Sequence, residues 1–193
     1  LGLARAALAA GVTIYTASAV TKITRRSKAN VCITTNGQVT AQQVLFCGNA
    51  YMGKLVPEIS NKIMPVGTYI GASEPLGKAR AEALINNDMA VADINFVLDY
   101  FRLSADYRML FGGRVSYSTI APANLKHTMQ QRMLNVFPQL ADVKMDYAWG
   151  GNVAITMNRG PHFGQLGDDL YFAQGFSGHG IVATGLAGQL MAE

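Results

Sequence analysis

Asp169-Leu-Tyr-Phe-Ala173 has the composition of a β-strand. It runs through Gln174 into Gly175-Phe-Ser-Gly-His-Gly180, and a helix-forming stretch from Ile181 to Glu193 follows at once. Strand, glycine turn and helix in direct succession point to α/β architecture, because a helix leaving a strand so abruptly must pack back onto the sheet. Three glycines in six residues strip away the side chains that would keep a ligand off the backbone. The helix that follows aims unpaired N–H groups and a partial positive charge at the same place. Such a junction suits an anion or the electron-rich edge of a ring. A simpler reading makes Gly175 a tight turn and Ser177 a helix cap with no ligand.

The chain has 193 residues, half of them apolar and 15% charged, which is the balance of a folded globular protein. No apolar run is long enough to cross a membrane, and no signal peptide is visible. The formal charge of +4 is diffuse, with one basic cluster, Arg25-Arg26-Ser27-Lys28, which reads as a solvated turn. A nucleic-acid surface would carry a basic stripe with interleaved aromatics. Cys32 and Cys47 lack metal-ligand spacing and read as buried, reduced thiols, so no metal is expected.

Leu1–Ala10 has the spacing of a helix already under way, closed by Gly11, so the chain reads as a piece of something longer. Val12–Tyr15 and Ala19–Ile23 are β-rich. Val31–Thr40 carries Asn36-Gly37 between two alternating segments, the signature of a type I′ hairpin. The continuous apolar run Gln43–Cys47 ends at Gly48 and reads as a strand buried on both faces of a mostly parallel sheet. This order belongs to an α/β nucleotide-binding lobe.

The middle of the chain differs. Candidate strands start at Ile63–Ile70 and continue at Asp93–Leu103 and Arg108–Phe111. They are interrupted by helices at Leu76–Asn86 and Asn124–Phe137. In the second helix Leu125, Met129, Met133 and either Val136 or Phe137 share a face, Asn124 can cap the start and Pro138 ends it. The methionine face reads as core laid on a sheet. Asp142–Ala148 is a further strand leading to Trp149-Gly-Gly151. The expected fold is α/β and α+β: a Rossmann-like lobe from residues 1–58 and 149–193, interrupted by an antiparallel-sheet lobe with covering helices at 59–148.

Taken in series, these motifs resemble the FAD-dependent D-amino-acid oxidase and glycine oxidase superfamily. The likeness is carried by Thr35-Asn-Gly37, Val44-Leu-Phe-Cys-Gly48, Pro65-Val-Gly-Thr-Tyr69, Tyr100-Phe-Arg102, Arg108–Gly113, Trp149-Gly-Gly151 and Gly175–Gly180. Within the superfamily the pattern is most similar to the gamma-glutamylputrescine oxidoreductase branch. The resemblance implies FAD as cofactor and a small-molecule amine as substrate, oxidised at a carbon–nitrogen bond, with no nucleic-acid partner and a cytoplasmic location. It implies backbone contacts from Val20 to the adenine, closure of Cys47 and Gly48 over the adenosine diphosphate, and a flavin edge lined by Gly178, His179, Gly180 and Ile181. Donors preorganised at that edge would stabilise the charge that arrives with a hydride. Tyr69, Tyr100 and Arg102 are the expected substrate contacts; no catalytic side chain is assigned, and His127 and His162 have no visible partner.

The sequence departs from this pattern twice. Members of the superfamily commonly follow Trp-x-Gly with an Arg-Pro pair whose arginine clamps the substrate carboxylate. Aligned on Trp149, that position is Val153. An isopropyl group cannot replace a bidentate guanidinium, so an α-carboxylate clamp is lost there, although Arg102, Arg114 or Arg159 could supply one from elsewhere. The N-terminal Gly-x-Gly-x-x-Gly fingerprint that holds the pyrophosphate is also absent from these residues. The missing N-terminal half is therefore an expected partner, and this chain alone is expected to hold FAD weakly or not at all. Two other classes stay open: a non-enzymatic interaction domain, and an RNA-binding strand at Phe111–Tyr117.

Overall fold

A computed structural model describes residues 1–26, 29–117 and 122–193. The first part of the chain forms α1 (Gly2–Ala9), β1 (Val20–Arg26), β2 (Ala29–Thr34), β3 (Gln38–Ala41), β4 (Val44–Phe46) and the single turn α2 (Pro57–Ser60). The middle forms β5 (Met64–Ser73), α3 (Lys78–Leu84), β6 (Val91–Ala92), β7 (Tyr100–Leu103), β8 (Met109–Ser116) and α4 (Leu125–Val136). The chain ends in β9 (Met145–Ile155), β10 (His162–Leu166), β11 (Leu170–Gln174) and α5 (Gly180–Ala192).

These strands build three sheets. β1, β2 and β3 form an antiparallel meander; β10, β11 and β4 form a second sheet; and β6-β7-β8-β5-β9 is a five-stranded antiparallel sheet. The pairing of β11 with β4 is parallel, as an α/β lobe requires. The mixed α/β and α+β character read from the sequence is therefore present.

The largest core lies where α4 covers the five-stranded sheet. Met129 and Met133 are fully buried there beside Met109, Phe111 and Met145, and Phe137 completes the helix face while Val136 stays 41% exposed. Gly71 lets the helix come close, since a Cβ at that position would stand 2.7 Å from Met145 Sδ and 3.1 Å from Met129 Cβ. Burying each such side chain contributes about 1.5–3 kcal/mol. A smaller core under the second sheet gathers Phe46, Met52, Val56, Ile59, Leu170 and Phe172.

Several local expectations change. Val12–Tyr15 is not a strand. β-composition without a neighbouring strand to complete the ladder does not make one. The hairpin at β2–β3 forms, yet its central residues are Thr35 and Asn36, and neither Asn36 nor Gly37 takes the positive φ of a type I′ turn. Thr34 holds the turn instead, its N–H donating to Gly37 O at 2.9 Å and its hydroxyl accepting from Asn36 N–H at 3.3 Å. Asp93–Leu103 is strand only in its last four residues, because the Asp93 carboxylate accepts from the N–H groups of Asn95 and Asp99 and folds the preceding stretch into a loop. The helix expected at Leu76–Asn86 is shorter at both ends. β9 runs unbroken through Trp149-Gly150-Gly151, which were expected to follow the strand. Asn124 stands at the N-cap of α4 without a side-chain capping bond.

Arg25 and Arg26 are solvent-exposed, as expected, but they end β1 instead of forming a turn; Arg25 donates to Asp169 at 2.7 Å, and the same carboxylate accepts from the buried Asn30. Ser27 and Lys28 of that cluster lie outside the described residues. The two thiols are not buried. Cys32 is half-buried and Cys47 exposed, because β4 is an edge strand and leaves Leu45 47% exposed, so the expected burial on both faces is not met within this chain. Phe111 of the candidate RNA-binding strand is fully buried under α4 and offers no face to a base. No described helix is long and apolar enough to cross a membrane, and no group of three potential metal ligands exists among the described residues.

Candidate functional site

The junction between β11 and α5 folds as a run of unusual backbone. Gly175, Ser177 and Gly178 take φ of +69°, +51° and +91°. At Gly175 only glycine fits, since a Cβ would stand 2.5 Å from Thr156 Cγ2 as well as adopting a strained conformation. The N–H of Ser177 donates to Ala154 O at 3.0 Å and ties the turn to β9. Ser177 does not cap the helix; its hydroxyl donates back to Gly175 O at 3.3 Å. His179 occupies the N-cap position without a side-chain bond, and no acidic residue stands in the first turn of α5. The helix start is therefore open, with backbone donors and dipole unspent, worth up to about 2 kcal/mol to a partly buried anion.

This open end borders a cavity of about 550 Å³. Leu45 and Cys47 of the β4 end, Val153 and Ala154 of β9, and Phe176, Gly178 and Ile181 lie in its wall. The volume and the mostly apolar lining are those of a site for a small molecule. Cys47 is open to solvent on one side, while the atoms packed on the other push its thiol pKa up and disfavour a thiolate. Gln174, one residue before the turn, is fully buried; its amide donates to Ile59 O at 2.6 Å and meets His162 Nδ1 at 3.1 Å. Burial, reinforced by Lys62, lowers the His162 pKa.

Along its full length, residues 1–193, the sequence matches the model of the family described as "DAO: FAD dependent oxidoreductase". The chain belongs to the DAO family of FAD-dependent oxidoreductases. It is 45% identical over 184 residues to gamma-glutamylputrescine oxidoreductase of Escherichia coli (strain K12), covering 95% of this chain and 43% of the relative. It is 43% identical over 197 residues to the probable oxidoreductase OrdL of Haemophilus influenzae, covering 100% of this chain and 45% of that protein. The chain thus spans less than half the length of these curated relatives. Among solved structures, glycine oxidase from Geobacillus kaustophilus superimposes with a TM-score of 0.81 at 22% identity, over 98% of this chain and 51% of that one. The shared DAO fold is what that last likeness shows.

Against the DAO expectation of a flavin, the residues present fit one edge of the ring system. Gly178 has open space where a Cβ would project, and the α5 donors are uncapped. The structure brings Cys47, Gly178, Gly180 and Ile181 into one cavity wall, with Gly48 and His179 adjoining in sequence. Val20 is not among them. It lies at the start of β1, in a different sheet.

The three candidate substrate residues separate. Tyr69 is buried in the core on the α4 side, 5% exposed and clustered with Phe111 and Met129. Tyr100 and Arg102 flank Phe101, which packs into that core and stacks on Phe111, so strand alternation sends both to the opposite, open face of the sheet. There Arg102 pairs with Asp88 at 3.2 Å. Neither lines the cavity at α5.

Two contributors were not foreseen. Asn49 follows Gly48 at φ +47° and accepts from Gly175 N–H at 2.9 Å. The hydroxyl of Tyr51 accepts from Asn152 N–H at 2.7 Å and fastens the same turn to β9. The only local hint was an asparagine beside a glycine, since the contacts join residues about a hundred positions apart.

Proposed function

We propose that the whole protein carrying this chain oxidises a carbon–nitrogen bond of an amine whose reacting carbon bears no carboxylate, with gamma-glutamylputrescine as the first candidate and oxygen or another acceptor taking the electrons. The observation that carries this reading is Val153. It stands in the cavity wall beside Gly178 and Ile181, at the position where the family resemblance would put a carboxylate-clamping arginine. An apolar wall there favours the methylene chain of an amine and penalises an unpaired carboxylate. The 45% identical Escherichia coli relative carries gamma-glutamylputrescine in its name, which supports the same substrate class. In this reading residues 1–58 and 149–193 belong to the cofactor lobe and 59–148 to the substrate lobe, and the protein works in the cytoplasm.

When bound, FAD supplies the acceptor for the hydride leaving the substrate carbon. The backbone N–H groups of Gly180 and Ile181, at the uncapped start of α5, would hold the ring edge where negative charge grows and would stabilise it without reorganisation. Gly178 would let that edge approach the backbone, the buried Ala154 and Phe176 would form its apolar floor, and Ile181 and His179 would be cofactor contacts. Tyr100 and Arg102, on the open face of the five-stranded sheet, are the substrate contacts in this scheme, while Tyr69 packs into the core on the opposite face.

The test is anaerobic mixing of the whole protein with gamma-glutamylputrescine, read as loss of the oxidised flavin absorbance. Bleaching with this amine and not with glycine supports the reading; bleaching with glycine alone overturns it in favour of an amino-acid oxidase. The isolated 193-residue chain is expected to purify without stoichiometric flavin.

A further inference from the structure

Two turns that are distant in sequence meet at the cavity through one side chain. Asn49 leaves β4 in a left-handed conformation, φ +47°, which asparagine tolerates better than most residues. The partner of its carboxamide is the N–H of Gly175, so the atom at 2.9 Å must be the oxygen, and Nδ2 is thereby turned away from the turn. Nδ2 has no hydrogen-bond partner among the described residues, while Asn49 itself lines the cavity with Cys47, Val153 and Gly178. The bonded glycine is the one whose Cβ would collide with Thr156, so the turn packs closely against that residue.

We propose that Asn49 is a positioning residue for the cofactor: through Gly175 it fixes the glycine turn that presents the α5 donors, and it leaves a neutral amide donor in the cavity wall. The proposal rests on the reading of this cavity as the flavin edge. Two substitutions separate its parts. Asn49→Gly keeps the positive φ and removes both amide functions. Asn49→Asp keeps an acceptor for Gly175 N–H but replaces the donor with a negative charge.

The experiment uses the whole protein, stripped of FAD and titrated with it, followed by the flavin spectrum and midpoint potential of each reconstituted form. Asn49→Gly is expected to raise the Kd for FAD by about five- to tenfold, the loss of roughly one hydrogen bond, and to shift the absorbance maximum. Asn49→Asp is expected to keep the melting temperature of the wild type yet lower the midpoint potential, because an anion in the wall opposes electron uptake. Wild-type Kd and spectrum in Asn49→Gly, or a wild-type potential in Asn49→Asp, overturns the proposal while leaving the flavin reading in place. A wild-type protein that takes up no FAD overturns the flavin reading and the proposal with it.

Discussion

The ring of Tyr100 lies directly over the backbone of its cross-strand partner Gly112, so closely that a Cβ on Gly112 would stand 2.0 Å from Cε2 and 2.2 Å from Cζ. The glycine is what lets a half-buried tyrosine lie down on the open face of the sheet. Burial of that ring also raises the phenol pKa. Gly112→Ala is therefore expected to displace the ring and destabilise the fold by about 1–3 kcal/mol. In the whole protein it should raise the KM for the amine more than it lowers kcat. Steady-state kinetics with an unchanged KM would remove Tyr100 from the substrate face.

Met129 and Val136 lie on the same helix with opposite fates. Met129→Ala empties a fully buried site against Gly71 and Met145 and should cost about 2–5 kcal/mol. Val136→Ala, at a position 41% exposed, should cost well under half of that. Urea unfolding of the two variants checks the ranking, and equal midpoints would show that α4 is not seated as described.

Stability should fall in two acid steps with separate causes. The folded-state pKa of His162 is depressed by burial and by Lys62, so its contribution is complete above the ordinary value of 6.5 and is lost as pH falls through the lower folded value. Asp142 is held at about 2 by its bidentate pairing with Arg80, so its contribution is complete above 3.8 and is lost between about pH 4 and pH 2. Melting temperature followed against pH should lose its first step in His162→Gln and show a smaller second step in Asp142→Asn, since Asp93, Asp106 and Asp169 are also held below the usual carboxylate range. An unchanged step in the matching variant would reassign it.

Cys47 lines the cavity and Cys32 stands in the separate β1–β3 sheet. Both thiols are pushed above their usual pKa by partial desolvation, so alkylation near neutral pH should be slow for both. Saturating FAD should slow iodoacetamide labelling of Cys47 at least several-fold in the whole protein and leave Cys32 unchanged. Equal protection at the two positions would place the cofactor elsewhere.

The β11–α5 unit was legible because its signal is local: a strand-forming run, glycines at positions that demand them, and a helix-forming tail lie next to one another in the chain. The α4 methionine stripe was legible for the same reason, since helical periodicity alone separates Met129 and Met133 from the solvent side. The alternation that put Tyr100 and Arg102 on one face was also written in their spacing, whereas which face was open depended on where α4 lies.

What the sequence by itself determined was the class of fold, the family, and the strand–glycine turn–helix unit, all carried by residue type at short range. Only the tertiary structure decided that Tyr69 points into the core, that Val20 stands apart from the cavity, that β4 is an exposed edge, and that Asn49 and Tyr51 brace the site. Each of these depends on which strands pair and which face a helix covers. Those are contacts between residues tens to more than a hundred positions apart, and their energy exists only once the chain has closed the intervening loops.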